Sequence, residues 1–107
     1  MKLMLIIVAN EDANKVSKLL LKEKFFVTKL ASTGGFLMNG NTTLLVGTEN
    51  NQVERVVNLV SECSKTRKQV IPSINPDEFG MFSSYPVEVQ VGGATIFVLD
   101  IANYYKI

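Results

Sequence analysis

The residues best suited to chemistry in this chain lie in one stretch, Thr28-Lys29-Leu30-Ala31-Ser32-Thr33-Gly34-Gly35-Phe36-Leu37-Met38-Asn39-Gly40-Asn41-Thr42-Thr43-Leu44-Leu45-Val46-Gly47. It reads as a strand, a glycine-rich turn and a second strand. Gly34, Gly35 and Gly40 free the turn to adopt positive φ and let a ligand approach the backbone closely. Phe36-Leu37 sits where a plain turn would carry polar residues. Amides in such a turn can donate to phosphate oxygens, and Phe36 can cover the face of a planar ring.

Each flanking residue has a structural and a functional reading. Thr28 suits a strand through β propensity alone, or offers a hydroxyl to a phosphate or base. Asn41 fits turn chemistry beside Gly40, or presents the donor and acceptor that match an adenine edge. Gly47 marks a bend at a strand end, or leaves room for a ligand. Phe97 alternates with apolar neighbours, as a core residue does.

Other chemistry is absent from the sequence. There is no histidine, the commonest general base and metal ligand. The single Cys63 falls on an apolar helical stripe and reads as a small buried hydrophobe. There is no Cys-x-x-Cys, no Walker A sequence and no Asp-x-Asp cluster, and Glu11, Asp12 and Asp100 form no acid–base pair. The expectation is a binding module rather than an enzyme, with no metal and no cofactor.

The elements that must position these residues follow from periodicity. Leu3 to Val8 is a continuous apolar run, expected as a central strand buried on both faces. A helix over roughly 12–23 places Ala13, Val16, Leu19, Leu20 and Glu23 on one side, with Asn10 or Asp12 as its cap. Strands are expected at 25–32 and 42–47, joined by the turn of 33–41 as a wide hairpin. Val53, Val56, Val57, Val60 and Cys63 make one apolar stripe on a second helix that starts near Asn50-Asn51. Val87 to Val91 alternates with Glu88 and Gln90 as a half-exposed strand, Gly92-Gly93 turns the chain, and 95–99 is a further strand. The order β-α-β-β-α-β is the ferredoxin-like sandwich, here with an extra C-terminal hairpin strand. Residues 65–85, with Pro72, Pro76, Gly80 and four aromatic or thioether side chains at Phe79, Met81, Phe82 and Tyr85, read as a long loop. That loop is either a surface spacer or a lid ordered by ligand.

Composition sets the frame. The 107 residues predict one domain over 1–107, and 47% hydrophobic content supports an ordinary but small core. Chains of this size bury about two-thirds of their unfolded surface, so association between subunits can supply further stability. A net charge of +1 provides no broad attraction for nucleic acid or an anionic membrane. No apolar run approaches the ~18 residues of a membrane span. Met1-Lys2 and the apolar run behind it are read as the first strand, not a leader, because Glu11 and Asp12 follow at once. A lone cysteine suits a reducing cytoplasm.

The glycine-rich stretch resembles the PII-like receptors of cyclic di-AMP, small trimeric signalling proteins of Gram-positive bacteria. Pro86-Val87-Glu88-Val89-Gln90-Val91-Gly92-Gly93-Ala94-Thr95-Ile96-Phe97-Val98-Leu99 resembles a second block of that family. Cys63 with Arg67 and Gln69 fits too, as does the opening strand followed by Asp12-Ala13, so the resemblance spans nearly the whole chain. It implies a homotrimer that binds cyclic di-AMP in clefts between subunits and relays occupancy to an unidentified protein partner. The implied ligand contacts are Thr28, Gly35, Phe36, Leu37, Asn41, Gly47 and Phe97, the last reaching across a subunit boundary. The sequence departs from the pattern at three places. Phe26 stands where the cyclic di-AMP receptors carry arginine, Met38 where they carry a polar or basic residue, and Lys106 where they carry glutamine. The competing expectations are a trimer that senses another adenine nucleotide or small metabolite, and a ligand-free interaction protein.

Overall fold

The computed structural model describes residues 1–30, 40–76 and 82–107. The chain order is β1 (Lys2–Ala9), α1 (Asn10–Lys22), β2 (Val27–Leu30), β3 (Asn41–Thr48), a short 3-10 turn (Asn50–Gln52), α2 (Val53–Ser64), β4 (Arg67–Pro76), β5 (Phe82–Val91) and β6 (Ala94–Asp100). Four strands form one antiparallel sheet in the order β2-β3-β1-β6, and β4 pairs with β5 in a separate two-stranded sheet. This small α+β arrangement is compatible with a ferredoxin-like fold.

Both helices pack on one face of the four-stranded sheet. Met4, Ile6 and Val8 of β1 and Leu44 and Val46 of β3 meet Ala13, Val16 and Leu20 of α1 and Val56 and Val60 of α2 in a single buried core. The period-2 alternation of a strand decides which residues these are. It also corrects the expectation for β1, which is buried on one face only. Leu3, Leu5 and Ile7 point to the other face and stay half-buried, because among the described residues no helix covers it.

The helix ends differ from the sequence reading. Neither Asn10 nor Asp12 caps α1. Ala9 is the N-cap residue without a side-chain bond, and both candidates lie inside the first turn. The C-terminal end closes through a left-handed residue. Lys24 has φ 71°, its N–H donates to Leu21 O at 3.0 Å, and the Phe25 N–H donates to Leu20 O at 2.9 Å. That is the paired 6→1 and 5→2 pattern that usually employs glycine at the left-handed position.

The expected long loop over 65–85 is instead an arm over most of its length. β4 and β5 run antiparallel for ten residues each, with Arg67 opposite Val91 and Pro76 opposite Phe82. Pro72 faces Pro86 in that ladder. Both strands of a two-stranded ribbon are edges, and a facing proline pair fits a position where neither N–H is needed. The arm accounts for the elongated outline of 62 × 28 × 20 Å. Nor does Gly92-Gly93 make a hairpin. β5 pairs with β4, β6 pairs with β1, and the two glycines link separate sheets, so no extra strand joins the main sheet.

Candidate functional site

Register places Thr28, Asn41, Gly47 and Phe97 on the helix-free face. Thr28 faces Leu45, Leu45 faces Leu5, and Leu5 faces Phe97, so these four form one row across all four strands. Gly47, Leu3 and Leu99 form the next row, and Thr43, Ile7 and Thr95 the row on the other side. Asn41 pairs with Ala9 at the end of β3 and belongs to the same face. Phe97 is 52% exposed, so its core reading does not hold within the protomer.

The face does not gather these residues into one pocket within a single chain. Thr28 and Gly47 are diagonal neighbours across β2 and β3, roughly 7–8 Å apart. Thr28 and Phe97 stand at opposite edges of the sheet, three strand spacings or about 14 Å apart. Asn41 lies six positions from Gly47 along β3, toward the turn. Gly35, Phe36 and Leu37 lie outside the described residues, as does Met38.

Gly47 makes a notch. Among the described residues, a Cβ built there would meet only the Met1 Cε, at 4.0 Å. Phe26 precedes β2 and by register falls opposite Gly47, with its ring 80% exposed. Lys106 Nζ sits over that ring, 5.5 Å from its centroid, a cation–π distance. The C-terminal segment thus delivers a cation to the Gly47 end of the face. Lys2 is occupied elsewhere by its ion pair with Asp100, whose hydrogen bond holds that carboxyl below its ordinary pKa.

At the other end of the sheet a cleft of about 310 Å³ is lined by Ile7, Ala9, Asn41, Thr95 and the Gly92-Gly93 link. It touches the root of the arm. There Asp12, fully buried, takes both guanidinium nitrogens of Arg67, at 2.9 and 3.3 Å. This charge-assisted fork raises the Arg67 pKa. Sequence reasoning singled out Asp12 and Arg67 separately but could not pair residues so far apart. Among the described residues, no group of three or more His, Cys, Asp or Glu is placed to hold a metal ion, and no helix is long and apolar enough to cross a membrane.

The model of the cyclic-di-AMP receptor family matches residues 1–107. The chain belongs to the cyclic-di-AMP receptor family. It is also similar to a functionally unknown protein from Pediococcus pentosaceus ATCC 25745, whose crystal structure is 37% identical in sequence and superposes with a TM-score of 0.75. The match covers 99% of this chain and 96% of that one. Family membership supports a signalling role that binds cyclic di-AMP, with the dinucleotide as ligand rather than cofactor. The family is one of receptors.

Proposed function

We propose that the protein is a cytoplasmic homotrimer that binds cyclic di-AMP in clefts between adjacent subunits and relays occupancy to a protein partner through the turn of 33–41 and the arm. One observation carries the reading. The central strand β1 is apolar on both faces, yet among the described residues only one is fully covered. Leu3, Leu5, Leu45, Phe97 and Leu99 on the open face call for a partner surface. A head-to-tail ring brings the β6 edge of one subunit to the β2 edge of the next. Phe97 of one chain then approaches Thr28 and Gly47 of its neighbour, whereas within one chain Thr28 and Phe97 stand about 14 Å apart. Gly35, Phe36, Leu37 and Asn41 complete the proposed cleft from the turn side.

Phe26 favours attention to a second ligand within the same trimer, another adenine nucleotide. Phenylalanine cannot supply the forked donors of an arginine to a phosphate. Losing a charged hydrogen bond costs about 1.5–3 kcal/mol, or one to two orders of magnitude in affinity. Lys106, held over Phe26, is the cation positioned to offset part of that loss.

Calorimetry against cyclic di-AMP, cyclic di-GMP, ATP and AMP, with light scattering on the same sample, tests both readings. The expected result is a trimer that prefers cyclic di-AMP and binds it more tightly once Phe26→Arg is introduced. Preference for ATP or AMP selects the second ligand. A monomer at micromolar concentration removes the intersubunit site.

A further inference from the structure

Gly40 and Thr42, where the glycine-rich segment ends, and the root of the arm meet a common element, the first turn of α1. At Asn10 the backbone N–H donates to Gly40 O at 2.7 Å, and the side-chain Oδ1 accepts from the Thr42 hydroxyl. These bonds hold the point where the glycine-rich segment enters β3. Two residues later, Asp12 holds the arm. Arg67 Nη2 donates to Asp12 Oδ1 at 2.9 Å, Nη1 donates to Oδ2 at 3.3 Å, and Nη1 also reaches Lys65 O at 3.2 Å.

The root of the arm is tightly built. Gly92 and Gly93 both have left-handed φ, 86° and 85°. A Cβ at Gly92 would lie 2.6 Å from Lys65 O and 2.7 Å from Arg67 Nη1. The Gly93 N–H donates to Ser64 O. Both strands of the arm therefore leave the body at one point, and Asp12 fastens that point to α1. Asn10 and Asp12 are separated by a rise of about 3 Å along a hydrogen-bonded helical turn, so neither shifts freely without the other.

We propose that the first turn of α1 is the mechanical coupler between the glycine-rich turn and the arm, with Asn10 as its input and the Asp12–Arg67 fork as its output. This rests on the reading in which ligand orders the turn, and it names the residues that pass the change onward. Asn10, Thr42, Asp12 and Arg67 are positioning residues; they reach the ligand only through other groups. Coupling of this kind is reciprocal, so a disturbance at either end registers at the other.

The test is amide hydrogen exchange on the full chain without ligand. Thr42→Val removes the hydroxyl and keeps the shape. It should speed exchange at the arm root, residues 67–70 and 88–91, by about fivefold or more. Arg67→Gln should in turn speed exchange at 41–43. Thr42→Ser, which retains the hydroxyl, should restore wild-type rates at the root. In an Asp12→Asn background Thr42→Val should no longer affect the root. Unchanged exchange in α2 certifies the fold of each variant, and Arg67→Lys replaces Arg67→Gln if the latter fails that check. Wild-type rates at the root of folded Thr42→Val overturn the coupler. Calorimetry with cyclic di-AMP is read separately. Failure of wild type to bind sinks the ligand reading and leaves the exchange result standing, whereas binding without cross-talk sinks the coupler alone.

Discussion

Phe97→Ser tests whether the helix-free face is an interface. Phe97 is 52% exposed in the protomer. A phenylalanine side chain buries roughly 200 Å² when enclosed, so about 100 Å² remains for a neighbour to cover. At about 25 cal/mol per Å², that cover contributes about 2.5 kcal/mol at each interface. A closed ring of three subunits repeats the contact three times, for a total of about 7.5 kcal/mol. The midpoint concentration of a monomer–trimer equilibrium follows the square root of its dissociation constant. The substitution should therefore raise that midpoint by about 500-fold. The protomer itself should lose about 2.5 kcal/mol, because the other half of the side chain, about 100 Å², is already buried within it. Sedimentation equilibrium across a dilution series measures the midpoint, and circular dichroism checks the fold. Equal midpoints for wild type and a folded Phe97→Ser would refute the reasoning and place the subunit contact elsewhere.

Three further outcomes are expected. Gly47→Ala should leave urea stability within about 0.5 kcal/mol, since among the described residues the new methyl meets only the Met1 Cε at 4.0 Å; it should weaken cyclic di-AMP binding by about tenfold if the notch receives the ligand. Lys24→Gly should raise stability by about 1 kcal/mol in urea unfolding, because it relieves the φ of 71° at the end of α1. Burial first, then the Glu62 carboxylate, raises the Cys63 thiol above its ordinary pKa. The unfolded thiol thus ionises first, the unfolded state binds fewer protons, and stability should decline as pH rises past the unfolded pKa, a decline that Cys63→Ala should diminish in urea midpoints measured from about pH 8 to 10.

Local patterns carried the body of the fold. The stripe of Val53, Val56, Val57, Val60 and Cys63 marks α2, whose Val56 and Val60 are fully buried. The order of strands and helices up to α2 follows from similar periods. The arm was hidden because proline is a loop signal in any window, while a two-stranded ribbon has free edges on both sides and accepts it. Gly92-Gly93 misled for a related reason. Adjacent strands separated by two glycines resemble a hairpin, and only long-range pairing shows that β6 belongs beside β1. At the site, alternation was enough to put Thr28 and Phe97 on strand faces but not to say which face. The Asp12–Arg67 fork joins residues 55 positions apart, beyond any periodic signal.

The reading of β1 shows what a hydrophobic pattern measures. Leu3 to Val8 without a polar break implies burial on both faces, and within the protomer Leu3, Leu5 and Ile7 are only half-buried. Under the proposed trimer the pattern and the protomer agree, because burial is then referred to the assembly. A strand shaped for a closed ring must carry apolar residues on the side that its neighbours will cover, and its sequence cannot distinguish a helix of its own from a neighbouring chain. Phe97 fits the same account. Its alternation with apolar neighbours made it look like core, and its exposure of 52% in the protomer marks the part of that core a second subunit would complete.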